Sequence, residues 1–268
     1  MTYDPASSDE TPRPLCLMLA MAARGQVALD TVQCLLDLTQ DLQGHGVPFA
    51  FATYDCADQT VSRNHLTSRF LTETRFSHML MLDSDMIFAP AAVWRLIGFG
   101  ADFVAAAYAQ KYYDWGRLWR LFRENPEAGT AEIVAQSLTY NHQITDWGGL
   151  TWVPRRREGF ITVPATGPGL ALISREVPER MVARGVARPY PDMARLPGHR
   201  DLLWHDFWSH GPVADGTLFG HTDQAFSHRW VRGCGGEVWL DCETEIGHSG
   251  PHRFMGRYAA RVDEDFPQ

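Results

Sequence analysis

Two carboxylates stand one residue apart at the end of an apolar run, and their spacing could do chemistry. The run at 78–82 has the length of a buried strand, and Asp83 and Asp85 follow it directly. In extended backbone, residues i and i+2 point to the same side, so both carboxylates can approach one point. Carboxylates that close repel each other unless a cation separates them, and Mg²⁺ or Mn²⁺ prefers such oxygen ligands. The sequence therefore predicts a divalent cation with a bound diphosphate. The simpler alternative is that Asp83 only caps the helix that begins near Pro90.

The pattern around these carboxylates predicts the elements that position them. Apolar runs at 15–23, 47–54, 76–82 and 103–109 predict strands, and helical spacing at 30–42, 62–71 and 90–99 separates them. This alternation predicts a parallel sheet with helices on both faces. Right-handed crossovers bring the carboxyl ends of such strands to one edge, where ligands bind. The residues expected at that edge are Arg24, Asp55, Asp83, Asp85 and Lys111.

The second half of the chain is less regular. Residues 115–125 are predicted to be helical, with Trp115, Leu118, Trp119 and Phe122 on one stripe that we interpret as core. Residues 189–212 are rich in Pro, His and Trp without a period, which is typical of a substrate-facing loop. A helix is predicted over 222–232.

Composition excludes several classes of protein. The formal net charge of −8 over 268 residues argues against nucleic acid or an anionic membrane as the main partner. The five cysteines are scattered, which favours reduced thiols over a disulfide framework. The first 14 residues lack the order of a signal peptide, and no apolar run reaches the length of a membrane helix. We therefore expect a cytoplasmic protein.

Histidines are concentrated towards the end of the sequence. Seven of the eleven lie at or after His199, and His248 stands out because glycines flank it in a short predicted strand. A neutral imidazole there could complete a metal site begun by Asp83 and Asp85. His252 follows closely and could meet a phosphate.

The order of these motifs resembles nucleotide-sugar-dependent glycosyltransferases of the GT-A fold. The matching motifs are Ser62-Arg63-Asn64, Asp83-Ser84-Asp85, the helix start at 222–226, and the segment 235–241 before Gly247-His248. The resemblance spans residues 15–256. It implies an α/β fold with a Rossmann-like, mostly parallel central sheet flanked by helices, and an irregular acceptor-side C-terminal half.

The resemblance also implies roles for individual residues. Asp83, Asp85 and His248 would bind Mn²⁺ or Mg²⁺ with the diphosphate of a nucleoside-diphosphate sugar. The residues expected near the nucleotide or its phosphates are Arg24, Arg63, Asp83, Lys111 and His252. Inverting relatives commonly have a Glu-Asp pair where this chain has Thr222-Asp223, so Asp223 is the remaining candidate base, although it could equally be a helix cap.

Within this interpretation, one glycosyltransferase domain covers 15–256, with a nucleotide-binding half at 15–111 and an acceptor half at 112–256. Tails are expected at 1–14 and 257–268. The acceptor is left open among a glycan, a lipid, a protein and a small molecule. Trp147, Trp204 and Trp208 are candidates for stacking on sugar rings, although core packing explains them as well.

Two other functions fit parts of the sequence. His221 and Asp223, with His248 or His252, have the order of a facial triad for non-haem Fe(II), which would require a barrel of many short strands. The chain could also be a non-catalytic module that binds a nucleotide sugar or a carbohydrate. Both alternatives stay open at the level of the sequence.

Overall fold

The computed structural model describes residues 13–146, 149, 152–190, 202–213 and 218–267. The helices are α1 (Leu29–Gly44), α2 (Gln59–Thr72), α3 (Pro90–Phe99), α4 (Trp115–Glu124), α5 (Thr130–Ser137), α6 (Glu176–Ala183), α7 (Thr222–His228) and α8 (Val262–Asp265). A π-helical turn, Arg229–Gly233, continues α7, and a 3₁₀ turn, Tyr258–Ala260, precedes α8. In this described part of the chain, no helix is both long enough and apolar enough to cross a membrane.

The strands fall into one large sheet and several small ones. They are β1 (Leu17–Ala23), β2 (Phe49–Asp55), β3 (His78–Asp83), β4 (Met86–Ile87), β5 (Phe103–Ala106), β6 (Ala109–Tyr113), β7 (Leu138–Tyr140), β8 (Arg156–Arg157), β9 (Phe160–Val163), β10 (Leu170–Ser174), β11 (Pro189–Tyr190), β12 (Trp204–His205), β13 (Gly211–Val213), β14 (Leu218–Gly220), β15 (Val238–Asp241), β16 (Ile246–Ser249) and β17 (Arg253–Gly256). The large sheet has the order β2-β1-β3-β10-β5-β15-β9-β8, and a smaller sheet joins β17, β16 and β4.

The large sheet is mixed, with most strands running in one direction. β10 and β9 are antiparallel to both of their neighbours, and the other strands run together. The expected α/β architecture, with helices flanking a mostly parallel sheet, is therefore confirmed. The strands of the first half are not contiguous in the sheet, because β10 from the second half lies between β3 and β5.

Two apolar layers cover the two faces of the sheet. On one face, α2, α6 and α7 pack over alternate residues of the central strands, such as Met79 and Phe103. On the other face, α1 and α3 pack over the intervening residues, such as Leu80 and Val104. Because successive strand residues point to opposite faces, a strand covered on both sides has to be apolar throughout. This explains the unbroken run that precedes Asp83.

The aromatic stripe of α4 is not part of the core, contrary to the sequence interpretation. Trp115 is 70% exposed and Trp119 is 67% exposed, and Phe122 is also exposed. The buried side of the helix contains Arg117 instead, which donates to the carboxylate of Glu264 and to the carbonyl of Gln136. An amphipathic period shows which residues share a face, but not which face the rest of the chain covers.

Two tryptophans proposed as stacking platforms are buried in the core. Trp208 stacks on Phe226 with ring centroids 3.8 Å apart, and its indole N–H donates to the hydroxyl of Thr67 at 2.9 Å. Trp204 is buried beside His65. Neither ring is available to a sugar. Trp147, the third candidate, lies outside the described residues.

The segment after Gly256, which the sequence analysis set apart as a tail, packs into the core. Tyr258 and Phe266 are buried completely or nearly so, and Val262 lies with them in the same apolar cluster. Apolar residues at a spacing of four, between polar ones, are typical of a short amphipathic helix. The packed part of the chain therefore continues at least to Phe266.

Candidate functional site

The candidate site forms around the turn 83–85, which follows β3 and leads into β4. Three backbone hydrogen bonds from distant parts of the chain hold this turn. The N–H of Asp83 donates to the carbonyl of Gly169 at 3.0 Å. The N–H of Ala28 donates to the carbonyl of Ser84 at 2.8 Å, and the N–H of Ser249 donates to the carbonyl of Asp85 at 2.7 Å. A turn held from three sides presents its side chains in a fixed arrangement, as a binding site requires.

His248 lies beside Asp85 because of strand pairing. β16 is antiparallel to β4, and His248 is the partner of Met86, the residue after Asp85. The Nε2 atom of His248 lies 3.2 Å from Oδ1 of Asp85. The ammonium group of Lys111, from β6, forms an ion pair with Oδ2 of the same carboxylate. Burial alone would raise the pKa of Asp85, but His248 and Lys111 lower it below its usual value.

The hydrogen bonding of His248 makes this pair suitable for a cation. Nδ1 lies 2.9 Å from the carbonyl oxygen of Ala109, so it has to be the protonated nitrogen that donates. In the neutral ring, Nε2 then directs a lone pair towards the carboxylate of Asp85. Two acceptors at this distance need a proton or a metal ion between them, and an Nδ1–H bonded to a carbonyl is the usual outer-shell contact of a metal-binding histidine.

Asp83 does not complete a three-ligand group with this pair. Across the described residues, no set of three His, Cys, Asp or Glu side chains is arranged to hold a metal ion. The carboxylate of Asp83 is turned to Arg63, whose Nη2 donates to it at 3.1 Å. Both carboxylates line the same cavity, but a buried guanidinium binds that of Asp83, so their joint binding of one cation stays a prediction.

Arg63 joins Asp83 to Asp223. The guanidinium is buried on α2, and its second terminal nitrogen forms an ion pair with Oδ1 of Asp223, in the first turn of α7. Burial alone would lower the pKa of Arg63, but the two carboxylates raise it above its ordinary value. This bridge holds the end of β3 to the start of α7 through Arg63, which is 160 positions from Asp223 in the sequence.

Tyr108 is a further member of the site that the sequence analysis missed. Its pKa is well above the ordinary value because of burial and of the nearby carboxylates of Asp83 and Asp223. Its hydroxyl accepts a hydrogen bond from the side-chain amide of Asn141. An aromatic residue at a strand end has no sequence signal that separates it from core, so only the packing reveals it.

A cavity of about 320 Å³ opens in front of the turn 83–85. Its volume is in the range of small-molecule sites. It is lined by Ala22, Ala23, Arg24, Gln26, Cys56, Gln59, Ser62, Asp83, Ser84, Asp85 and His248. The loop after β1, the start of α2 and the end of β3 therefore meet at one edge of the sheet.

A second cavity, of about 330 Å³, lies on the side of Asp223. Its lining is mostly amides, hydroxyls and imidazoles: Gln110, Asn141, His142, Gln143, Ala165, Thr166, Gly167, His221, Asp223 and Gln224. Asp83 lines the first cavity and Asp223 lines the second, so the Arg63 bridge lies between the two. We call them the first and the second cavity.

The remaining predicted site residues differ in how they are placed. Arg24 lines the first cavity, while Lys111 is bound to Asp85. His252 is exposed, lies outside the lining of either cavity, and its carbonyl accepts from the N–H of Gly250 at 3.0 Å. No contact in the described structure therefore supports the phosphate role predicted for His252.

The facial-triad alternative does not fit the structure. Asp223 is bound to Arg63, whereas His248 is bound to Asp85 in the other cavity. The fold is α/β rather than a barrel of short strands. An iron centre built from His221, Asp223 and His248 is therefore excluded for this arrangement.

Comparison with known proteins adds no family. No protein-family model matches the chain, and no curated protein matches it. Among solved structures, it is similar to A197 from STIV, at 15% identity and a TM-score of 0.44, over 88% of this chain and 86% of that one. It is also similar to a glycosyltransferase involved in the glycosylation of the major capsid of PBCV-1, at 11% identity and a TM-score of 0.28, over 61% of this chain and 62% of that one. At this level of similarity neither structure bears on the function, which has to be argued from the site.

Proposed function

We propose that this protein is a glycosyltransferase that moves a sugar from a nucleoside-diphosphate sugar to an acceptor hydroxyl. The observation that supports it best is the placement of two cavities on either side of the Asp83–Arg63–Asp223 bridge. A group-transfer enzyme needs a donor site and an acceptor site that meet at the reacting atoms. We assign the donor to the first cavity and the acceptor to the second.

The lining of each cavity fits its assigned ligand. The first cavity contains Arg24 and the Asp85–His248 pair, which are suited to phosphate charge and to a cation that neutralises it. The second cavity contains mainly uncharged hydrogen-bonding groups, such as Gln110, Gln143 and Thr166. Such groups bind the hydroxyls of an acceptor without requiring that the acceptor be charged.

Asp85 and His248 are the residues that would hold Mn²⁺ or Mg²⁺. When bound, such an ion neutralises the negative charge that develops on a departing diphosphate. The ammonium of Lys111 already contacts Asp85, so it would move to a phosphate oxygen when a cation takes its place. After this exchange the cation would neutralise the carboxylate of Asp85, and the ammonium of Lys111 would neutralise the phosphate oxygen.

Asp223 is the group we assign to the acceptor proton. Arg63 binds its Oδ1, and Oδ2 is the oxygen proposed to accept a proton from a hydroxyl in the second cavity. The guanidinium fixes the orientation of the carboxylate and spaces it from the donor. A base on the acceptor side implies inversion at the anomeric carbon.

The test is nucleotide binding with and without metal, followed by turnover. Titration calorimetry with uridine and guanosine diphosphates and their sugars should show binding that requires Mn²⁺. Asp85→Asn should weaken that binding by about tenfold or more, since it removes a charged ligand. Asp223→Asn should keep the binding but lower donor hydrolysis or transfer by roughly 10²- to 10⁴-fold.

A matched control is Asp263→Asn, a carboxylate that is 72% exposed and lies outside the lining of both cavities, which should change neither quantity. Binding that is unaffected by Mn²⁺, or by Asp85→Asn, would contradict the cation assignment. Tight binding without any turnover would instead indicate a non-catalytic nucleotide-sugar module.

A further inference from the structure

Tyr108 connects the linings of the two cavities. Its ring is buried and lies edge-on to the ring of His248, which lines the first cavity, with centroids 5.3 Å apart. Its hydroxyl accepts a hydrogen bond from Nδ2 of Asn141, which lines the second cavity. Tyr108 is not among the described residues that line either cavity, so it acts on a ligand through a neighbouring side chain.

Backbone contacts hold Asn141 next to Tyr108. The N–H of Asn141 donates to the carbonyl of Tyr108 at 2.9 Å. The carbonyl of Asn141 accepts from the N–H of Gly167 at 3.0 Å and from the hydroxyl of Thr166 at 3.1 Å. A Cβ at position 167 would overlap both the hydroxyl of Tyr108 and Nδ2 of Asn141. Glycine at 167 therefore leaves room for the hydrogen bond between the two side chains.

The charges around Tyr108 determine which atoms of the Asn141 amide are used inside the protein. The carboxylates of Asp83 and Asp223 lie near the phenol and raise its pKa. Because their negative charge attracts the phenol proton, the hydroxyl oxygen stays available to accept from Nδ2 of Asn141. No donor among the described residues binds Oδ1 of Asn141. This oxygen is therefore left as a hydrogen-bond acceptor for a ligand in the second cavity.

The second cavity thus offers two groups that accept hydrogen bonds, Oδ1 of Asn141 and the carboxylate of Asp223. We propose that Asn141, positioned by Tyr108, binds a second hydroxyl of the acceptor substrate, which is therefore a polyol such as a sugar. This inference rests on the proposed transfer of a sugar to a hydroxyl in that cavity. A molecule with one hydroxyl leaves Oδ1 to water, whereas a polyol donates to both groups at once.

The first experiment follows the side-chain amide of Asn141 by NMR in the full-length protein labelled with ¹⁵N, and it does not require turnover. The signals are assigned by their loss in Asn141→Asp. Glycerol should shift them, and 1-propanol, with the same carbon chain and one hydroxyl, should shift them about fivefold less or weaker at equal concentration. In Tyr108→Phe the response to glycerol should be lost, because the amide no longer has a fixed orientation.

The second experiment measures transfer to the same two alcohols from a nucleotide sugar that the protein turns over. The wild type should transfer to glycerol about tenfold or more faster than to 1-propanol, and Tyr108→Phe should lower this ratio to about twofold. The matched control is Tyr140→Phe. Tyr140 is also buried, its hydroxyl donates to the carbonyl of Ala135 at 3.1 Å, and it lies outside both linings, so the ratio should be kept.

The comparison of the two alcohols in the wild type needs no variant, and circular dichroism tests that each variant is folded. Equal responses of Asn141 to glycerol and 1-propanol, or no response to either, would overturn the inference. A folded Tyr108→Phe protein with the wild-type response would remove the positioning role. Nucleotide binding that does not depend on Mn²⁺ would instead contradict the proposed function, so the two failures are distinguishable.

Discussion

Arg63 is the residue on which the arrangement of the candidate site depends. Its guanidinium is buried between two carboxylates and lies over the ring of Trp208, 5.3 Å from the ring centroid. A buried ion pair contributes little net free energy compared with an apolar pair, but losing one partner leaves an uncompensated charge. Here the guanidinium of Arg63 compensates the charges of both Asp83 and Asp223, so its removal leaves two uncompensated carboxylates.

We expect Arg63→Met to lower the free energy of unfolding by about 2–4 kcal/mol, since both carboxylates are only partly exposed. Adding Asp223→Asn should recover about 1 kcal/mol or more, because one of the uncompensated charges is then removed. Urea denaturation of the three proteins measures both quantities.

The control on the same helix is Arg69→Met. Arg69 pairs with Glu73 at the surface, and such pairs contribute at most about 1 kcal/mol. If Arg63→Met and Arg69→Met lower the free energy of unfolding equally, the buried bridge contributes no more to stability than a surface ion pair.

At the scale of elements, the three-stranded sheet of β4, β16 and β17 positions His248. Gly247 lies between Ile87 on one side and Met255 on the other. A Cβ at this position would lie 3.0 Å from Cβ of Ile87 and would overlap the sulfur of Met255. The close approach of the three strands therefore requires glycine at 247, next to the imidazole.

Gly247→Ala should lower the free energy of unfolding by about 1–3 kcal/mol, as overpacking does in a filled interior. Gly98→Ala is the matched control. Gly98 lies inside α3 with open space where the methyl would go, so alanine should stabilise the protein by about 0.5–1 kcal/mol. Thermal and urea unfolding should give shifts of opposite sign. An unchanged or raised stability of Gly247→Ala would mean that the strands separate without cost.

At the scale of the whole molecule, the C-terminal segment closes the core over His142. The ring of His142 lies against Tyr258, with centroids 4.3 Å apart, and more distantly against Phe266. Both ring nitrogens are buried and have no hydrogen-bond partner among the described residues. Burial therefore lowers the pKa of His142 to about 3, with a smaller contribution from Arg261.

This histidine should make the protein less stable in acid. Below its ordinary pKa of about 6.5, His142 takes up a proton in the unfolded chain but not in the folded one, so stability falls as the pH falls. Between pH 7 and pH 5 its contribution decreases by about 2 kcal/mol, at roughly 1.4 kcal/mol for each pH unit. His142→Leu should remove that part of the pH dependence.

The measurement compares urea unfolding of the wild type and His142→Leu at the two pH values. His252→Leu, at an exposed position, should keep the wild-type dependence. If the wild type and His142→Leu lose the same stability on acidification, the buried imidazole does not titrate in this way.

The sequence predicted the local features of this fold well. Apolar runs with turn residues between them identified β1, β2, β3 and β5, and helical spacing identified α1, α2 and α3. These features succeed because strand and helix periods are properties of a few consecutive residues. The pairing of β10 with β3 and β5 was not predicted, since its apolar residues would fit the interior of a sheet at several positions.

The sequence by itself determined that carboxylates end a buried strand, that a histidine follows far along the chain, and that the fold is α/β. The tertiary structure decided which of these groups meet. It paired His248 with Asp85 through strands β4 and β16, and turned Asp83 to Arg63. It also left the tryptophans of α4 exposed. The physical reason is that contacts across 160 residues depend on packing and charge compensation, which no local pattern contains.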